Sequence, residues 1–183
     1  MAFISGLFDP EEVIWTGDIY DTGESHHNKH FRTTQKTLTT IDSGFIQPQR
    51  ISPSTFKPNS YSRTKENIHQ LKYLLIEADD FSTDPQENMK WNAGLIAFCR
   101  VDLEMTLRAV IMTGSKSLHA WFDPLPPDHM VELNTLAEGF GIDTATLNNP
   151  AAPLRLPHCK HEKTSNRAQL LFLQPQKLEH LYR

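Results

Sequence analysis

Three groups of residues along this chain have the types and spacing that catalysis on charged substrates needs. Glu77 and Asp79 close the segment KYLLIEADDF, whose apolar run from Tyr73 to Ile76 predicts a buried strand ending in an acidic rim. Residues two apart on a strand project from one face, so these two carboxylates stand side by side. Such a pair is unfavourable alone. It raises a pKa or draws in a cation, and Mg²⁺ or Mn²⁺, hard ions that take oxygen ligands, are the natural partners. A bare Glu-x-Asp is also what a solvated strand end looks like. The buried Leu74-Leu75-Ile76 ahead of it favours the metal reading, because it fixes the carboxylates on a rigid element.

The second group is Thr113-Gly114-Ser115-Lys116-Ser117-Leu118-His119. It begins where an apolar strand ends, and Ser117 and His119 alternate onto one face of the next strand. Gly114 and the small hydroxyl residues let backbone N–H groups approach a phosphate, and Lys116 adds a point charge. The spacing and the following helix of a P-loop are both missing. A plain hairpin with a half-buried histidine is the competing reading. The third group is Asp143, in GIDTATLNNP, with Arg155, in PLRLP. Asp143 is a candidate third carboxylate, or else a turn residue at a helix exit. Arg155 is a fixed fork for phosphate oxygens. Zinc is not expected: His26-His27-x-x-His30 has no cysteine nearby, and His158-Cys159-x-His161 has no second pair at finger spacing.

Regular elements must hold these groups in place. Asp84-Pro85-Gln86-Glu87 is a helix start, after which Met89, Ala93, Ile96 and Ala97 recur at near-helical spacing. Short apolar runs at 109–112 and 118–122 read as two strands joined by the hairpin of the second group. Pro126-Pro127-Asp128 opens another helix, with Met130, Leu133, Leu136, Ala137 and Phe140 on one face and Gly139 and Gly141 at its end. Residues 169–173 predict a final strand, and the tail LEHLYR a short helix. The mixed order points to α+β with a largely antiparallel sheet. The first seventy residues read as polar and irregular. Within them, the Pro/Ser/Asn-rich stretch 47–62 reads as a loop pinned to the core by Ile46, Ile51, Phe56 and Tyr61.

The chain has 183 residues, room for one domain with its own core. A hydrophobic content of 38% and a charged content of 22% exclude disordered, collagen-like and coiled-coil classes. No apolar run spans a bilayer, and the opening MAFISGLFDPEE lacks the basic region of a secretory leader. Two cysteines, Cys99 and Cys159, make no disulfide framework, so a reducing cytoplasm and no membrane partner are expected. The net charge of −4 argues against coating nucleic acid by charge alone. Locally it separates. From Glu77 to Glu104, seven acidic residues face two basic ones, whereas Arg155, Lys160, Lys163 and Arg167 are opposed only by Glu162.

In this order, these pieces resemble the archaeo-eukaryotic primase superfamily, in particular the small primase-polymerases of phages, plasmids and mobile elements. The resemblance rests on LLIEADDF, MTGSKSLHAWF, GIDTATLNNPAAPLRLP and QLLFL, with YSRTKENIHQLKYLLIEAD as the lead-in. It covers residues 56–173, leaving 1–55 of uncertain role, in one catalytic domain spanning 1–183. It implies an RRM-like, largely antiparallel sheet flanked by helices. It further implies that Glu77, Asp79 and Asp143 hold catalytic Mg²⁺ or Mn²⁺. Ser115, Lys116, Ser117 and His119 would bind nucleotide, with His119 also catalytic, and Arg155 would contact triphosphate. Arg63, Lys160, Lys163 and Arg167 would contact nucleic acid. The implied partners are a single-stranded DNA template, NTP or dNTP, and a separate replicative helicase. There are two departures. Glu77 stands where the family more commonly has Asp, and the family's Arg-Leu-Pro-Gly ends here in His158, which puts the turn after Pro157 in doubt. Two rivals remain. A nicking replication initiator wants paired histidines, of which Leu118-His119-Ala120 supplies one; a catalytically silent DNA-binding accessory protein wants none of the acids.

Overall fold

The residues at 74–76, 109–112, 120–122 and 170–173 form short unbroken apolar runs, a pattern that suits strands. A computed structural model, describing residues 2–17, 30–78 and 81–176, places them together. Asp79, His26, His27 and the tail LEHLYR lie outside the described residues.

In chain order the elements are α1 (Ala2–Leu7), β1 (Val13–Gly17), β2 (His30–Thr33), α2 (Thr34–Asp42), β3 (Arg50–Phe56), β4 (Ile68–Leu71) and β5 (Leu74–Ile76). There follow α3 (Pro85–Val101), β6 (Leu107–Met112), β7 (Leu118–Phe122), α4 (Pro127–Ala137), α5 (Thr144–Leu147), β8 (Leu154–Arg155) and β9 (Gln169–Leu173). One antiparallel sheet runs β5-β7-β6-β9. A second runs β2-β1-β3-β4, also antiparallel, with β8 paired to β3.

Alternation along the first sheet sorts its side chains into two cores. Leu74, Ile76, Leu118, Ala120 and Phe122 pack against Leu95, Ile96 and Cys99 of α3 and Leu133 and Ala137 of α4. Tyr73, Leu75, Ala109, Ile111 and Trp121 face the other way, onto Phe3, Ile4 and Leu7 of α1 and onto Ile14, Ile51 and Leu154 of the second sheet. Trp121 is fully buried there, edge-on to Phe3 and Tyr73. Burial pushes the Cys99 thiol up to about 11. Among the described residues no helix is long and apolar enough to cross a membrane.

The N-terminal third departs from its irregular reading. The stretch 47–62 holds β3, six of whose seven residues are buried, at the centre of the second sheet. Ile51 and Phe56 do pin it to the core, but Tyr61 is 89% exposed. Pro53 and three hydroxyl residues disguise the strand. The Pro53 carbonyl accepts from Lys72 and Tyr73 N–H at 3.2 and 3.1 Å, and the Ser54 hydroxyl donates to the Pro150 carbonyl at 2.5 Å. Satisfied hydroxyls can be buried as apolar residues are, without leaving an apolar run to read.

Candidate active site

Glu77 directly follows β5, on the face that carries Tyr73 and Leu75. Next door in the sheet, β7 carries His119, and Ser117 lies just before that strand. The alternation brings all three together. Ser117 Oγ donates to Glu77 Oε1 at 2.6 Å, and His119 Nε2 donates to the same oxygen at 3.1 Å. The carboxylate is only 7% exposed, so these two donors replace water that burial removes. Thr113 Oγ1 stands 3.2 Å from Ser117 Oγ and backs the chain of hydroxyls. His119 Nδ1 is buried with no hydrogen-bond partner among the described residues. A ring nitrogen in that state is an acceptor when the imidazole is neutral and a donor once it is protonated.

Asp143 is brought to Glu77 through the backbone: its N–H donates to the Glu77 carbonyl at 2.8 Å. It is a helix N-cap rather than an exit residue. Its carboxylate accepts from Ala145 N, Thr146 N and Thr146 Oγ1 at the start of α5. Glu77 and Asp143 line one cavity of about 480 Å³ together with Ser115, Lys116, Ser117 and His119. Arg50, Arg155, His161, Glu162 and Lys163 line the same cavity.

Two supports were not among the expected site residues. Asn88 and Asn92, one turn apart on α3, are fully buried. Asn88 Nδ2 donates to the carbonyls of Ala78 and Lys116, and Asn88 Oδ1 accepts from Phe81 and Ser82 N–H. Asn92 bonds both the N–H and the carbonyl of Ala78. The amides thus tie the acidic strand exit to the hairpin. Asparagine is a poor choice for a helix interior, and a pair at i and i+4 was the available signal.

Arg155, His161, Glu162 and Lys163 come from β8 and the turn after it. Arg155 is 4% exposed; its Nη1 donates to the Lys160 carbonyl at 2.6 Å and its Nη2 to Glu162 Oε2 at 2.7 Å. Burial pushes the Glu162 carboxyl up, but the Arg155 hydrogen bond and the charges of Arg155 and Arg50 outweigh it, leaving the group below its ordinary value. Burial and the Arg155 charge hold the His161 imidazole below its ordinary value. The turn docks on the hairpin at Gly114, where Thr164 Oγ1 donates to the Gly114 carbonyl at 2.6 Å. Gly114 has φ +89°, and a Cβ there would stand 3.0 Å from the Asn166 carbonyl oxygen, so glycine is required twice over.

The expected nucleic-acid contacts scatter. Lys163 lines the cavity, whereas Lys160 and Arg167 pair through their backbones on an exposed bridge. Arg63 lies over the Trp15 ring at 4.2 Å and donates to the Ala151 carbonyl. Among the described residues no three His, Cys, Asp or Glu side chains form a metal-holding group.

No protein-family model and no curated protein matches the chain. Two solved structures do. The AEP domain of the cyanophage S-2L primase-polymerase superposes with a TM-score of 0.56 at 20% identity, over 92% of this chain and 84% of that one. The fold is that of an AEP primase-polymerase domain. The polymerase domain of Mycobacterium tuberculosis Ligase D, solved in complex with DNA, superposes with a TM-score of 0.52 at 10% identity, over 91% of this chain and 75% of that one. Within the AEP fold the present chain places Glu77, Ser117, His119, Asp143 and Arg155 around one cavity.

Proposed function

We propose that this protein is a metal-dependent, template-directed nucleotidyltransferase, a DNA primase or primase-polymerase that makes primers on single-stranded DNA. The observation that carries the proposal is the buried Glu77 carboxylate, bonded by Ser117 and His119, lining one cavity with Arg50, Arg155 and Lys163 in an AEP fold. Similarity to a primase-polymerase domain and to a polymerase domain supports the same reaction class.

Glu77 and Asp143 offer hard carboxylate oxygens to one cavity, a donor set that fits Mg²⁺ or Mn²⁺. Asp79, outside the described residues, is the third proposed ligand. Such ions, when bound, would neutralise polyphosphate charge and make the attacking 3′-oxygen more nucleophilic. The chain's own residues orient the nucleotide. Arg155, buried and fixed by the Lys160 carbonyl, presents a preorganised fork to phosphate oxygens. Ser115 and Lys116 line the cavity on the hairpin side, where small residues and one ammonium group suit a polyphosphate. His119 is held by Glu77 through Nε2 and lines the cavity, where its ring can meet phosphate oxygens. Lys160, Lys163 and Arg167 offer template strand contacts beside the site. The setting we assign is replication of a phage, plasmid or other mobile element in a host cytoplasm, with unwinding supplied by a separate helicase.

Single-stranded DNA incubated with Mn²⁺ or Mg²⁺ and labelled nucleotides should yield new, template-complementary strands. Shortened template without incorporation would instead mark a nicking enzyme. Binding without either product, unaffected by loss of Glu77, would mark an accessory protein.

A further inference from the structure

Arg50 and Arg155 are direct cross-strand partners where β3 pairs with β8. Directly opposed residues share a face, and like charges so placed destabilise a strand pair. Both side chains are nonetheless enclosed, Arg50 at 12% and Arg155 at 5% exposure. One carboxylate resolves the conflict by splitting its oxygens between them. Glu162 Oε1 accepts from Arg50 Nη2 at 2.8 Å, and Oε2 from Arg155 Nη2 at 2.7 Å. Glu162 itself sits on a turn that lines the cavity, its side chain 31% exposed.

An anion with two oxygens bridging two arginine forks is the arrangement a phosphate group adopts. We propose that Glu162 holds a phosphate position between Arg50 and Arg155, and that the polyphosphate of a nucleoside triphosphate takes its place. Arg50 is then a second phosphate-binding residue, supplied by the N-terminal sheet, and Glu162 an internal competitor that keeps the two arginines apart from solvent and in register while the site is empty. The inference rests on the nucleotide reading above. Its physical basis is that Glu162 cannot stay between the arginines beside a polyphosphate without like-charge repulsion, whereas its turn has solvent to swing into.

The test is calorimetric titration with inorganic triphosphate at low salt, paired with thermal melts with and without the ligand. Glu162→Gln should bind triphosphate about three- to tenfold more tightly than wild type, while melting lower in its absence and gaining more on its addition. Arg50→Gln should bind about tenfold more weakly, the scale of one charge-assisted bond, with Arg50→Lys between the two. If Glu162 only braces the β3–β8 pair, Glu162→Gln will melt lower and bind no more tightly, which overturns the proposal. Unchanged affinity in a folded Arg50→Gln or Arg50→Lys overturns it equally. A wild type that binds no triphosphate defeats the nucleotide reading and this inference together. Wild-type binding that Arg155→Gln weakens and Arg50→Gln leaves intact defeats this inference alone.

Discussion

His158 stands where the resembled family ends its Arg-Leu-Pro motif with glycine, and it adopts φ +70°, the left-handed region that glycine enters freely. The turn after Pro157 thus takes a conformation that favours glycine, and the residue is strained into it. The N–H of His158 donates to the Ala168 carbonyl at 2.7 Å and its carbonyl accepts from Arg167 Nη1 at 2.7 Å, contacts that hold the conformation. A left-handed non-glycine residue costs about 1–2 kcal/mol, against about 0.5–1 kcal/mol of backbone entropy that glycine loses on folding. His158→Gly should accordingly melt at or slightly above wild type. His158→Val should lose about 1–2 kcal/mol, because a branched side chain fits that region worst. Thermal denaturation of the two variants checks both. Glu77, one methylene longer than the commoner Asp, has its Oε1 within reach of both Ser117 and His119.

Among the elements, α3 does more than cover the sheet. Asn88 satisfies four backbone groups on two separate segments, of which Asn92 also bonds the Ala78 carbonyl. Asn88→Ala should cost about 3 kcal/mol in urea denaturation, the penalty for several buried groups left without partners. Asn88→Asp should cost more, since it removes the donors and buries a charge. The elements read correctly from sequence are those with simple signals: the Asp84 cap and Pro85 of α3, the apolar runs of β5 and β7, and β9 at residues 169–173. The missed ones lack such signals. In β3, Pro53 and buried Ser52, Ser54 and Thr55 erase the alternation that marks a strand, because partners far away in sequence satisfy their polar groups. Glu77, Ser117 and His119 were legible because strand alternation is local. Arg50 was not, because the β3–β8 pairing that joins it to Arg155 spans some hundred residues, and with it the role of Glu162 between the two arginines was hidden.

At the scale of the whole molecule, the two sheets share the core around Trp121 and the cavity above it. Beneath the net −4 of the composition, acidic Glu77, Asp143 and Glu162 and basic Arg50, Lys116, Arg155 and Lys163 line that one cavity together. That arrangement suits a reaction in which cations and polyphosphate must be gathered at one place, and a template is held beside it. The claim at the centre of this account is that nucleotidyl transfer runs at the Glu77–Ser117–His119 constellation. Its most direct measurement is primer synthesis on single-stranded DNA by wild type, Glu77→Gln and His119→Ala, with melts confirming that each is folded. Wild type should make product with Mg²⁺ or Mn²⁺, and each variant should lose more than about a hundredfold in rate. Folded variants that keep full activity, or a wild type that makes no product, would contradict it.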